Sequence, residues 1–217
     1  METAASRIAA RSGHPLNTVS EGETRRVLAP APPGRTIEAL PAGLLGEPLT
    51  WLFAEHYRHR QLCSLVERVG TATVLLRDEV EEALNFLRFD LPLHIIDEED
   101  DLFPLLRRRC TAEDELGKAL GALSADHRED IEAAARLIDL MERALESGDP
   151  PGGNLADRRH FKEFASRERR HIALENAVVL PIARLRLTPA DLLNLARRMA
   201  ARRGFAVALP AVPPGRE

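Results

Sequence analysis

Two stretches of the chain place a histidine four residues before a glutamate: His94 and Glu98 in HIIDEEDDLFPLL, and His171 and Glu175 in HIALENAVVLPIA. Four residues is about one helical turn, so each pair shares a face. Steps of three and four along that face give Val80, Leu84, Leu87, Leu91, His94, Glu98, Leu102 and Leu105 in one segment, and Phe161, Phe164, Glu168, His171, Glu175, Val178 and Ile182 in another. Two further seams carry imidazoles: Leu49, Leu52, His56, His59, Cys63 and Val66; and Leu116, Leu120, Leu123, His127, Ile131, Ala134, Ile138 and Met141. The titratable residues thus interrupt apolar stripes that should face a core. A buried carboxylate without a partner costs several kcal/mol, and a buried imidazole without hydrogen bonds costs about 1 to 3 kcal/mol. Divalent cations in a common interior offset all these costs together. The expected metal ligands are His56, His94, Glu98, His127, His171 and Glu175. His59 has a supporting role just outside them, and Glu168 either orients an imidazole or joins the ligands. Asp97, Glu99, Asp100 and Asp101 read as a solvated acidic face.

Four long segments of helical period must position these groups, separated by punctuation at Gly70 to Thr73, at CTAED (110–114) and at SGDPPGGN (147–154). The low aromatic share, 4%, leaves aliphatic helices to build the core, so the expected fold is all-α: an up-down-up-down four-helix bundle over residues 48–187. LTPADLLNLARRMAARRG announces a short fifth helix over 188–204, with Thr188 as cap, Pro189 in the first turn and Gly204 beyond the end. Residues 1–47, rich in proline and glycine, read as a disordered, flexible leader, and 205–217 as a flexible tail. Heights along the bundle agree with a shared site. His94 lies about 16 residues before the turn near 110 and His127 about 17 after it, a difference of about one 1.5 Å step. The same count favours His56 over His59 on the first helix, and Pro92 can bend the second helix toward register.

Several function classes are excluded by composition. Acidic and basic residues, 34 and 30, are interleaved, so no basic field invites nucleic acid or an anionic membrane. Cys63 and Cys110 form neither a disulfide framework nor a thiolate zinc motif. The absence of a long apolar run and of a secretory signal points to a cytoplasmic protein. HExxH, GxSxG, Walker-type and GxGxxG patterns are missing, and only ERRH (168–171) fits the Glu-x-x-His motif of ferritin-like di-metal bundles.

The phrases FAEHYRHR, HIIDEEDDLFPLL, SADHRED and HIALENAVVLPIA, in this order over roughly residues 48–187, resemble the hemerythrin-like family of HHE cation-binding domains. The resemblance implies a non-haem di-iron centre: two iron ions with a water, oxo or oxygen ligand, the histidines shared between the irons and Glu98 and Glu175 bridging them. It implies a protein that binds or senses oxygen, iron or a related small ligand. The alternatives are a di-iron enzyme acting on peroxide or oxygen, and a metal-stabilised structural bundle. The expected partner is a small molecule such as oxygen, with any protein partner unknown. The chain departs from oxygen-carrying hemerythrins at Ile131 and Asn176, where those proteins have a further histidine and an aspartate, which puts reversible oxygen carriage in doubt.

Overall fold

The structure is a computed structural model and describes residues 17–18 and 36–207. Its helices are α1 (Pro48–Thr71), α2 (77–109), α3 (Leu116–Ser147), α4 (155–186) and α5 (Pro189–Arg202). Helices α1 to α4 form the four-helix bundle, α1 lying against α2 and α4, and α3 against the same two. The expected terminators act as predicted. Gly148 ends α3 with φ 83°, Asn154 caps α4 by accepting from the Asp157 amide, and Thr188 and Asp191 cap α5 reciprocally.

Helices α2 and α4 are not uniformly wound. Wide π-type turns occupy Phe86–Asp90, Asp97–Leu102 and Glu175–Val179, and each comes just before a proline: Pro92, Pro104 and Pro181. Proline lacks an amide hydrogen and its ring collides with the carbonyl four residues back, so an α-turn cannot pass through it undisturbed. A widened turn relieves that collision while the helix continues.

The interior is layered along the bundle axis. One apolar cluster includes Leu62, Val66, Val69, Leu84, Leu87, Leu137, Met141, Phe161 and Phe164; the other includes Leu49, Leu52, Leu102, Phe103, Leu106, Leu120, Leu123, Leu180 and Ala183. Between them every helix of the bundle contributes buried polar residues: His56 and His59, His94 and Glu98, His127, and Glu168, His171 and Glu175. The two apolar slabs keep water from a polar layer that could not otherwise stay dry.

Of the predicted stripe positions, Ile138, Val178 and Ile182 are half-buried and Ile131 is exposed. Ile131 lies 47% exposed, and the inward place near it is taken by Asp130, whose carboxylate accepts from Arg167 Nε at 2.6 Å. Of the segment expected to be a leader, residues 36–47 pack on the bundle. Ile37 joins one apolar cluster, Leu45 joins the other, and the Glu82 carboxylate accepts from the Thr36 and Ile37 amides. The rest of that segment, apart from residues 17–18, lies outside the described residues, as does the tail beyond 207. Helix α5 buries Leu195, Met199 and Ala200 in the second cluster, so it closes the bundle's end.

Close backbone approach joins α1 to the α3–α4 connection. A Cβ on Gly152 would lie 1.8 Å from the Gly70 carbonyl oxygen, and one on Gly70 would lie 2.5 Å from Phe161. Gly152→Ala must therefore push two chain segments apart. Urea unfolding should show it destabilised by about 1 to 3 kcal/mol relative to the parent, whereas Gly121→Ala, with nothing within 4 Å, should be no less stable than the parent.

Candidate metal centre

The six expected ligands meet in the polar layer. His56 Nε2 lies 3.6 Å from Glu98 Oε1 and 3.3 Å from Glu175 Oε2. His94 Nε2 is 3.5 Å and His127 Nε2 3.3 Å from Glu98 Oε2, and His171 Nε2 is 3.3 Å from Glu175 Oε1. Two atoms bound to one ion at about 2.1 Å stand about 3.0 to 3.4 Å apart, so these separations are close to those of ligands around a cation. The donors form two overlapping sets: His56, His94, Glu98 and Glu175; and Glu98, His127, His171 and Glu175. Both glutamates belong to both sets.

Hydrogen bonding tests whether a cation fits. The Nε2 atoms of all four histidines and both carboxylate oxygens of Glu98 and Glu175 are buried without a hydrogen-bond partner. Each such atom costs about 1 to 3 kcal/mol if left unpaired. Nitrogen lone pairs and carboxylate oxygens that face one another need a shared positive charge, and a divalent cation at each set satisfies all of them.

The outward ring nitrogens explain why Nε2 faces inward. His56 Nδ1 donates to Asn176 Oδ1 at 2.8 Å, His94 Nδ1 to Glu55 Oε2 at 3.1 Å, and His127 Nδ1 to Glu99 Oε1 at 2.7 Å. His171 Nδ1 is 3.6 Å from Asp126 Oδ2. An acceptor at Nδ1 requires the proton there and leaves the Nε2 lone pair for a metal. His59 and Glu168 stand apart from both donor sets. They pair with each other at 2.5 Å, and the His59 ring centre lies 4.3 Å from that of His94.

Glu55, Glu99, Asn176 and Asp126 escape the sequence pattern because they sit one step off the apolar seams. Asn176, where oxygen-carrying hemerythrins have an aspartate, holds His56 from outside. The acidic run also differs from the solvated face expected of it. Asp100 is exposed, but Asp97 and Asp101 are buried, and Glu99 serves His127. Asp97 and Asp101 lie in the wide turn Asp97–Leu102, three and seven residues after His94, and arginines of α5 neutralise them: Arg202 meets Asp97 at 2.6 Å and Asp101 at 2.5 Å, and Arg198 also pairs with Asp101. Adjacency to a ligand is the signal that marks them, since Glu55, Glu99 and Asn176 each neighbour one in sequence.

The family model for the Hemerythrin HHE cation binding domain matches residues 47–183. The chain belongs to that family. The match spans the four helices that carry the donor sets, so this HHE domain is a metal-binding helical bundle. A search of curated proteins gives no match. Among the described residues, no helix is long and apolar enough to cross a membrane.

Without a cation the HHE centre holds protons instead. Burial alone would lower His127 and His171, but the carboxylates of Glu98 and Glu99 raise the former to about 10 and that of Glu175 raises the latter to about 9. Burial would raise Glu98, yet His94, His127 and His56 hold it well below the usual carboxylate range. An unfolded histidine titrates near about 6.5. The stabilisation from these pairs is therefore complete below about pH 6.5 and is lost as pH rises toward about 9 to 10. Metal-free protein should show a thermal midpoint that falls between pH 7 and pH 10, and metal uptake at pH 7 should release protons, detectable as a buffer-dependent calorimetric heat.

Proposed function

We propose that the protein is a cytoplasmic non-haem di-iron protein of the hemerythrin-like family that binds or senses oxygen, iron or a related small ligand. The observation that carries this reading is the donor count: each set offers two imidazoles and two shared carboxylates. Zinc is commonly satisfied by four such donors, whereas iron takes about five or six, so four protein donors leave room for water or a small ligand. Iron bound there would supply reversible redox chemistry and open coordination. The chain's own residues do the rest: outer acceptors hold the rings of His56, His94 and His127, the two glutamates would serve both positions, and the apolar slabs exclude bulk water.

A second reading, an enzyme turning over peroxide or oxygen, draws on the His59 and Glu168 pair. This buried imidazole belongs to neither donor set yet packs against His94, and it is placed to hold or pass a proton at the edge of the centre. Under either reading the partner is a small molecule such as oxygen.

Reconstitution with ferrous iron without air, followed by admission of oxygen, tests the assignment. The expected outcome is about two irons per chain and a new near-ultraviolet charge-transfer band. Fewer than about one iron and no band would overturn it. Glu98→Ala, which removes a donor from both sets, should lower iron at both positions, while His171→Ala should lower chiefly one. Steady turnover of hydrogen peroxide that depends on His59 would select the enzyme over the sensor.

A further inference from the structure

The end of α5 reaches the metal layer from outside the four-helix bundle. Arg203, the residue after the helix, has a side chain only 10% exposed. Its Nη2 donates to Glu55 Oε1 at 3.0 Å, its Nη1 pairs with Asp97 Oδ2 at 2.7 Å and donates to the Met199 carbonyl at 3.1 Å, and its guanidinium stands 5.1 Å from the Trp51 ring centre. The other oxygen of Glu55 accepts from His94 Nδ1. The other three imidazoles end differently. His56 meets an amide, and His127 and His171 face Glu99 and Asp126, whose side chains are 30% and 38% exposed. Among the described residues, His94 alone of the four is linked through a buried carboxylate to a guanidinium of another helix.

We propose that Arg203 is a positioning residue for His94, acting through Glu55, so that the seating of α5 is felt at the metal position formed by His56 and His94. The proposal rests on the metal-binding assignment above. A glutamate has three rotatable side-chain bonds and by itself sets no fixed direction for an imidazole. The guanidinium, held by Asp97, the Met199 carbonyl and the Trp51 face, fixes one Glu55 oxygen and so aims the other at Nδ1. Outer partners of this kind tune metal affinity by about 10- to 100-fold. Arg202 is the internal control: it belongs to the same helix end and pairs with Asp97 and Asp101, but makes no hydrogen bond to Glu55.

Cobalt(II) titration of the metal-free full chain, followed by visible absorption and calorimetry, separates a positioning role from a structural one. The parent should bind in two steps. Arg203→Met should weaken one step by about tenfold and alter its bands, leaving the other step in place. Arg202→Met should lower the thermal midpoint without moving either affinity or the bands. Glu55→Gln should reproduce the Arg203→Met spectrum, and the double variant should lose no more than either single one. Equal effects of Arg203→Met and Arg202→Met, with parental bands in both, would overturn the proposal, as would losses in the double variant that multiply independently. Should Arg203→Met not fold, Arg203→Lys keeps the charge without the fork and must shift the same bands; parental bands in Arg203→Lys and Glu55→Gln would overturn it equally. A parent that binds no cobalt ends the metal-binding assignment and this proposal together, whereas a parent that binds two with an unaffected Arg203→Met ends this proposal alone.

Discussion

Four imidazole lone pairs and two carboxylates converge in the middle of the bundle, sealed at both ends by aliphatic side chains, and their mutual neutralisation is the condition on which the rest of the structure depends. Left unpaired, these groups would cost as much as a domain's usual net stability of about 5 to 15 kcal/mol. Protons or cations must therefore occupy the layer. Protons satisfy it by converting each His and Glu contact into an ion pair, which accounts for the raised histidine and lowered Glu98 affinities for protons. Cations satisfy it with the same atoms and displace those protons, so the family's cation binding follows from how the core solves its own electrostatics.

The backbone serves this condition twice over with one local device. In α2 and α4 a histidine precedes a glutamate by four residues, and the glutamate precedes a proline by six: His94, Glu98, Pro104 and His171, Glu175, Pro181. The proline forces a wide turn, and the wide turn contains the shared glutamate in each case. Each donor set takes both imidazoles from one consecutive helix pair, α1 with α2 or α3 with α4, and a carboxylate from each pair. Neither half of the bundle can complete a set alone. The centre is consequently complete only when both halves of the bundle are in place.

The two halves are not equivalent around the centre. Asn176 and the Glu55 and Arg203 link support the His56 and His94 side from within the protein, and α5 covers that link. The His127 and His171 side rests on carboxylates that reach partial exposure. Charge near the first side is held by a dense exchange of arginines and acids: Arg198, Arg202 and Arg203 against Glu55, Asp97 and Asp101. Removing one member leaves a neighbouring charge uncompensated, which lowers stability.

How much of this is written locally follows from what each signal measures. Periodicity reports which residues share a face, and the interruptions at His56, His94, Glu98, His127, His171 and Glu175 are legible because polar groups on an apolar stripe are costly wherever the stripe goes. Capping residues report their own helix ends, which is why Thr188, Asn154 and Gly148 stand where the chain's punctuation puts them. Periodicity does not tell which charged residues at the edge of a stripe are covered. Asp97 and Asp101 stand three and seven residues after His94, and their charge reads as solvated, yet arginines of α5 bury them. It also fails where the partner is distant in sequence. Glu55 and Arg203 are 148 residues apart, and only the docking of α5 brings them together. The sequence by itself determined the helices, their inward histidines and glutamates, and hence a cation-binding interior. The tertiary structure alone decided which atoms hold those side chains from behind, because such contacts arise between helices whose relative placement no local pattern encodes.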